Sequence, residues 1–296
     1  MATSQTNYTP LRTHKKGICA IVGVGPKLGR SIARKFSKEG HTIAILSRDL
    51  LHASSGQLSA YAEELAAEAR APVYAIRIDC SSAKSIHDAF EAVLSLGFVE
   101  VLVYNAHDPV LLDSTLSADI SFQRFEKTLS VSVSGAFLCA QKVLHLMVLP
   151  KMVQKGRGTI LFSGCTASVE GIAGFADLCA AKFGMRGLAH SLARDRLSDP
   201  GESTRSVRQR TISPPPSTSK QPSAEPPPTP HQQQQADESS SSSCSSVGDN
   251  QVRHEGIGPG LMDPDILAQA YWYLHSQEKS IWSYELNLGQ GGPEFF

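Results

Sequence analysis

The chain has 296 residues, 41% of them hydrophobic, with 28 basic and 28 acidic side chains. That length fills one large core, and the balanced charge excludes a global attraction to nucleic acid or to an anionic membrane surface. No apolar run approaches the roughly 20 residues that a membrane helix needs, so no membrane partner is expected either.

Residues 1–16 carry no apolar stretch and read as a disordered tail. From Gly17 onward, short β-rich runs alternate with helical stretches, the pattern of a parallel sheet with crossover helices. GICAIVGVG reads as a first buried strand, Arg30 to Glu39 as a helix closed by Gly40, and HTIAILS as the second strand. A helix over Gln57 to Arg70, strand PVYAIRI, a helix over Ala83 to Leu96 and strand VEVLVYN follow. Phe122 to Val153 reads as one long helix, straight or bent, followed by strand GTILFSG and a helix over Leu178 to Arg196. The pattern then breaks. Residues 215–254 combine proline, glutamine and serine runs with hardly any apolar side chains, a composition that predicts a disordered insertion. DPDILAQAYWYLHSQ returns to helical periodicity and WSYELNLG reads as a last strand. The fold class expected is thus a Rossmann-like, doubly wound α/β domain over 17–296, interrupted by 215–254.

The chemistry starts at the turn Gly23-Val24-Gly25-Pro26-Lys27-Leu28-Gly29, between the first strand and first helix. There Gly23 permits a tight turn, Gly25 lets backbone approach a pyrophosphate, and Gly29 lets the helix lie close on the sheet, with free helix N–H groups facing the phosphates. The second strand ends in Ser47-Arg48, where an NAD site usually places a carboxylate; an arginine suits a ribose 2′-phosphate. NADP(H) is therefore the expected cofactor, and Asp49 keeps NAD(H) open.

In these features and their order the chain resembles the short-chain dehydrogenase/reductase family, over most of 17–198 and again over 261–290. The resemblance places Asp79-Cys80 at the adenine, and Asn105-Ala106-His107 in place of the family's Asn-Ala-Gly after strand four. SVSVSGAF resembles the segment with the catalytic asparagine, GTILFSGCTAS the strand with the catalytic serine, and CAAKFGMRGLAHSLAR the YxxxK helix. SVRQRTISPP is similar to the sixth strand, and the family's association habit implies a homodimer or tetramer.

Three of the four family positions have changed. Leu178 stands four residues before Lys182 where the proton-donating tyrosine belongs, Cys165 where the serine belongs, and Ser132 where the asparagine belongs. Lys182 is retained, which the resemblance assigns to the nicotinamide ribose. Losing a positioned acid costs on the order of 10²–10⁴ in rate, so weak or atypical catalysis is expected. Cys165, Ser163 and Thr166 are the hydroxyl and thiol groups on the strand end that can meet a substrate oxygen; His107 reads chiefly as a filler for glycine. Asp177 is displaced by about 100° from the vacant tyrosine position and is no substitute. Tyr271, Trp272 and Leu274 read as core or interface, and the ten histidines show no metal-ligand spacing, so no metal is expected. The six cysteines form no CxxC pair, which suits a reducing, cytoplasmic setting.

Two functions follow from the sequence. One is an oxidoreductase moving hydride to or from a small carbonyl, alcohol or enone; the other is a non-catalytic dinucleotide-binding sensor or scaffold. A further reading makes 215–254 an intrusion into the folded product, whose deletion would improve folding and cofactor affinity together.

Overall fold

In the computed structural model, residues 16–48, 57–68, 71–108, 116–147, 158–195, 207–213, 262–278 and 282–288 are described. Residues 1–15 of the expected N-terminal tail, the insertion at 215–254 and Asp49 lie outside them, whereas Lys16 is described.

Seven strands, β1 (Ile18–Val22), β2 (Thr42–Ser47), β3 (Val73–Arg77), β4 (Val99–Tyr104), β5 (Gly158–Ser163), β6 (Val207–Ser213) and β7 (Glu285–Asn287), form one sheet in the order β3-β2-β1-β4-β5-β6-β7. Every pairing is parallel. The crossovers are α1 (Leu28–Lys38), α2 (Gln57–Glu68), α3 (Ala83–Leu96), α4 (Phe122–Leu129), α5 (Gly135–Met147), α6 (Ala176–Asp195) and α7 (Pro264–Ser276). The order reverses between β1 and β4, the switch point where open α/β sheets bind ligands beyond the strands' carboxyl ends.

Both sheet faces are covered along β1, β4 and β5, which are buried at every position and, apart from Glu100 and the Thr and Ser of β5, are built of apolar residues and glycine. Ile18, Ala20 and Val22 of β1 face one layer with Phe90 of α3, Ala136 of α5 and Met185 of α6. Cys19 and Ile21 face the other layer, with Ile32 and Phe36 of α1, Leu65 of α2 and Tyr271 and Leu274 of α7.

Several boundaries differ from the sequence reading, as where α6 begins at Ala176 and not at Leu178. Helix α1 begins at Leu28, two residues early, because Lys27 takes the N-cap place without any side-chain cap. The long helix is interrupted at Ser130–Ser134 by a π-helical turn that separates α4 from α5. The last strand spans only Glu285–Asn287, paired with Thr211–Ser213. Gly40 closes α1 as expected, at φ +88° with its N–H bonded to the Ser37 carbonyl.

Candidate active site at the carboxyl edge of the sheet

The glycine turn is shaped by what presses on it. Gly23 has φ +86°, and a Cβ there would stand 2.3 Å from the Ala106 nitrogen. Asn105 ties that approach down, its Nδ2 donating to the Gly23 carbonyl at 2.9 Å and its backbone N–H to the Val22 carbonyl at 2.8 Å. A Cβ on Gly29 would meet the Val24 Cα at 2.8 Å. Gly25 differs: nothing lies within 4 Å of its added Cβ, so its open side is where a ligand has room to approach the backbone. With no side chain capping α1 and no acidic residue in its first turn, the helix N-terminus presents its N–H groups and positive dipole end to that space.

A cleft of about 200 Å³ runs along this turn, lined among others by Gly23, Gly25, Ser47, Arg48, Cys80 and Ala106. Arg48 stands in its wall with Nη1 4.0 Å from the Asp108 carboxylate. Asp79 does not line the cleft; its neighbours Ile78 and Cys80 do. Its carboxylate is turned to Ser81, accepting from that residue's Oγ at 2.7 Å and N–H at 2.9 Å, bonds that hold its pKa below the usual carboxylate range. Lys27 is exposed outside both cavities, whereas Val24 lines the first cleft and Leu28 the second.

A second cavity of about 290 Å³ shares Asn105 and His107 with the first. Its walls bring together Lys182 and Leu178 of α6, Ser163, Gly164 and Cys165 at the end of β5, Leu28 of α1, and Leu267 and Tyr271 of α7. Lys182 is buried and its Nζ donates to the Ser163 carbonyl at 3.2 Å. Burial disfavours its ammonium form and lowers the pKa below that of an ordinary lysine. His107 stands at the junction of the two cavities, where the surrounding protein and then the Lys182 charge lower its pKa, keeping the imidazole neutral at physiological pH. Its place in both walls goes beyond the filler role read from sequence.

Ser132 does not reach either cavity. It is fully buried in the π-helical turn, and its Oγ has no hydrogen-bond partner. Cys165 opens a short 3₁₀ turn, its N–H bonded to Ser168 Oγ at 3.1 Å, and Thr166 follows it in that turn. Asp177 is buried in an ion pair with Arg124 at 2.8 Å, turned away from the vacant tyrosine position as helical geometry requires. Tyr271 was legible only as core, and it is fully buried; yet it also backs the cavity, its hydroxyl 2.6 Å from Ser163 Oγ. Burial pushes its phenol well above the usual tyrosine range, so it holds its proton.

Among solved structures, a metagenomic short-chain oxidoreductase in complex with NADP superposes with a TM-score of 0.66 at 18% identity, covering 92% of this chain and 96% of that one. A short-chain dehydrogenase from Rhodopseudomonas palustris gives 0.65 at 22% identity, covering 92% and 97%. These likenesses concern the fold. In sequence, the 3-oxoacyl-[acyl-carrier-protein] reductase MabA of Mycobacterium bovis is 29% identical over 181 residues, 59% of this chain and 61% of that protein. Sorbitol-6-phosphate 2-dehydrogenase of Escherichia coli is 27% identical over 192 residues, 64% of this chain and 69% of that one. The chain thus spans about three fifths of the length of the mycobacterial reductase. The profile described as short chain dehydrogenase matches residues 18–215, from β1 to just past β6, and with that match the chain belongs to the short-chain dehydrogenase family of NAD(P)-binding oxidoreductases.

Proposed function

We propose that the protein is an NADP(H)-dependent oxidoreductase that moves hydride to or from a small carbonyl, alcohol or enone, with Lys182 in place of the missing phenol as the proton carrier. The observation that carries this reading is one cavity holding Lys182 and Leu178 together, next to the glycine cleft and sharing Asn105 and His107 with it.

The residues present fit a dinucleotide. The open side of Gly25 and the uncapped start of α1 suit a pyrophosphate, Arg48 a 2′-phosphate, and Asn105-Ala106 the passage between the two cavities. The bound dinucleotide supplies hydride chemistry. The chain's own part is the proton and the position of the substrate. Burial lowers the Lys182 pKa, so its Nζ releases a proton to a nascent alkoxide more readily than a solvated ammonium does. Neutral His107 hydrogen-bonds a substrate oxygen without competing for charge, and Leu178, Leu28 and Leu267 exclude water around Nζ.

Leu178 also favours a second reading, a non-catalytic cofactor sensor, because a leucine has no proton to exchange. Calorimetric titration with NADPH and NADH, followed by a carbonyl and enone screen, separates the two. Micromolar NADPH binding, weaker NADH binding and turnover that falls in Lys182→Met support the oxidoreductase. Binding without turnover leaves the sensor, and binding of neither cofactor removes both.

A further inference from the structure

At the opposite edge of the sheet, two buried side chains and one half-buried one, which no local motif connects, converge. His41 precedes β2, Glu100 is the second residue of β4, and His275 lies in the last turn of α7; one ligand atom from each lies within 4.8 Å of the others. We propose that these three residues form a divalent transition-metal site of the zinc class, which fastens α7 to the base of the sheet.

Each prospective ligand is oriented by a second contact. His41 Nδ1 lies 3.2 Å from the Gly17 carbonyl, a contact that as an N–H donor leaves the lone pair on Nε2. His275 Nδ1 lies 3.0 Å from Thr159 Oγ1, and its Nε2 is the atom nearest Glu100 Oε1, at 4.0 Å. Glu100 Oε2 accepts from the Gly17 N–H at 2.7 Å. A backbone carbonyl, a hydroxyl and a backbone N–H thus fix the far side of all three groups, the outer shell that orients metal ligands.

The spacing suits one ion. A metal about 2.0–2.1 Å from two imidazole nitrogens stands about 3.2 Å from each ring centre, and at a tetrahedral angle the centres are then about 5 Å apart. The observed His41–His275 separation is 5.3 Å, with the rings inclined at 73°. Tetrahedral bonds of that length set ligand atoms about 3.3 Å apart, so binding draws together the 4.0 Å between His275 Nε2 and Glu100 Oε1, and the 4.8 Å within which all three ligand atoms lie, by about 1.5 Å or less. Two imidazoles and one carboxylate are a donor set for zinc or cobalt rather than magnesium or calcium. Phe36 and Trp272 wall the group, and the nearby ammonium of Lys35 is paired to Glu39 at 2.8 Å.

The full-length chain, stripped with chelator, is titrated with Co²⁺ and separately with Zn²⁺. The expected results are visible cobalt d–d bands of a tetrahedral site at one equivalent, displaced by zinc, and a zinc-dependent rise in Tm. His275→Ala abolishes both, Thr159→Val weakens the affinity about tenfold by loosening the second contact, and the exposed His87→Ala changes neither. Absence of the bands in the unmodified chain overturns the proposal, and so do bands that persist in His275→Ala. The reading in the unmodified chain does not depend on any variant folding.

Discussion

At the scale of single residues, the glycine turn separates two kinds of constraint. Gly23 is held in the left-handed region with backbone 2.3 Å from where a Cβ would sit, so Gly23→Ala is expected to cost more than about 2 kcal/mol of stability, read by urea denaturation. Gly25 has open space at the same position. Gly25→Ala is therefore expected to fold with unchanged urea midpoint while weakening NADPH binding about tenfold or more, because the added methyl occupies the ligand's side. Leu178→Tyr places a phenol four residues before Lys182: in a site specialised around Lys182, carbonyl reduction followed as NADPH oxidation is expected to fall, whereas a rise of about 10²-fold marks a binder with a disabled site. Lys182 gives a pH signature. Its folded pKa is lowered by burial, so between that value and the unfolded value of about 10.4 the unfolded chain binds more protons and stability rises with pH. In Lys182→Met this rise is expected to vanish, leaving the variant relatively more stable near neutrality and losing the advantage as pH approaches about 10.4, measured as urea midpoints across pH.

At the scale of elements, the alternation of strand and helix was readable because the sheet is parallel and covered on both faces, which makes strand centres such as IAIL uniformly apolar and leaves amphipathic helices between them. The π-helical turn was not readable: SVSVS carries β-branched alternation that resembles a strand, and in the fold it continues the helix and packs against α6. Pairings across long sequence separations were equally silent. Ser163 and Tyr271 are 108 residues apart, and His41, Glu100 and His275 come from three elements with no shared period. Strand β7 is so short that its place depends on Glu285, which receives Nε and Nη2 of Arg186 at 2.9 and 3.0 Å and meets His190 Nε2 at 3.1 Å. Burial works to raise its pKa, but the Arg186 and His190 contacts outweigh it and the pKa is lowered. Its contribution is therefore fully present above about pH 4.3 and lost as pH falls through the depressed folded value. Glu285→Gln is expected to lower stability by about 1–2 kcal/mol at pH 7 and by little in acid, where the native carboxyl is protonated as well.

At the scale of the whole molecule, α7 belongs to the core although the sequence interposes a long segment before it. Ala268, Tyr271 and Leu274 complete the layer begun by Ile32 and Phe36 of α1, and Arg34 is 3.4 Å from Asp265 across the same contact. Removing 262–296 is expected to leave a chain that binds a hydrophobic dye and lacks a cooperative urea transition, because one face of the sheet loses its cover at β1, β4 and β5. The family match ends at residue 215, so similarity to the family profile stops before the helix that supplies Leu267 and Tyr271 to the cavity.

The same arrangement has a consequence in time. About fifty residues separate Ser213, the end of β6, from Asp263, the cap of α7. At the usual rate of about 5–20 residues per second, a ribosome needs roughly 3–10 s to cross that interval. For that period six strands and their earlier helices exist while Ile32 and Phe36 still await their neighbour. The nascent chain is therefore expected to leave that apolar layer open to chaperones during the interval, and slower translation there to prolong the exposure.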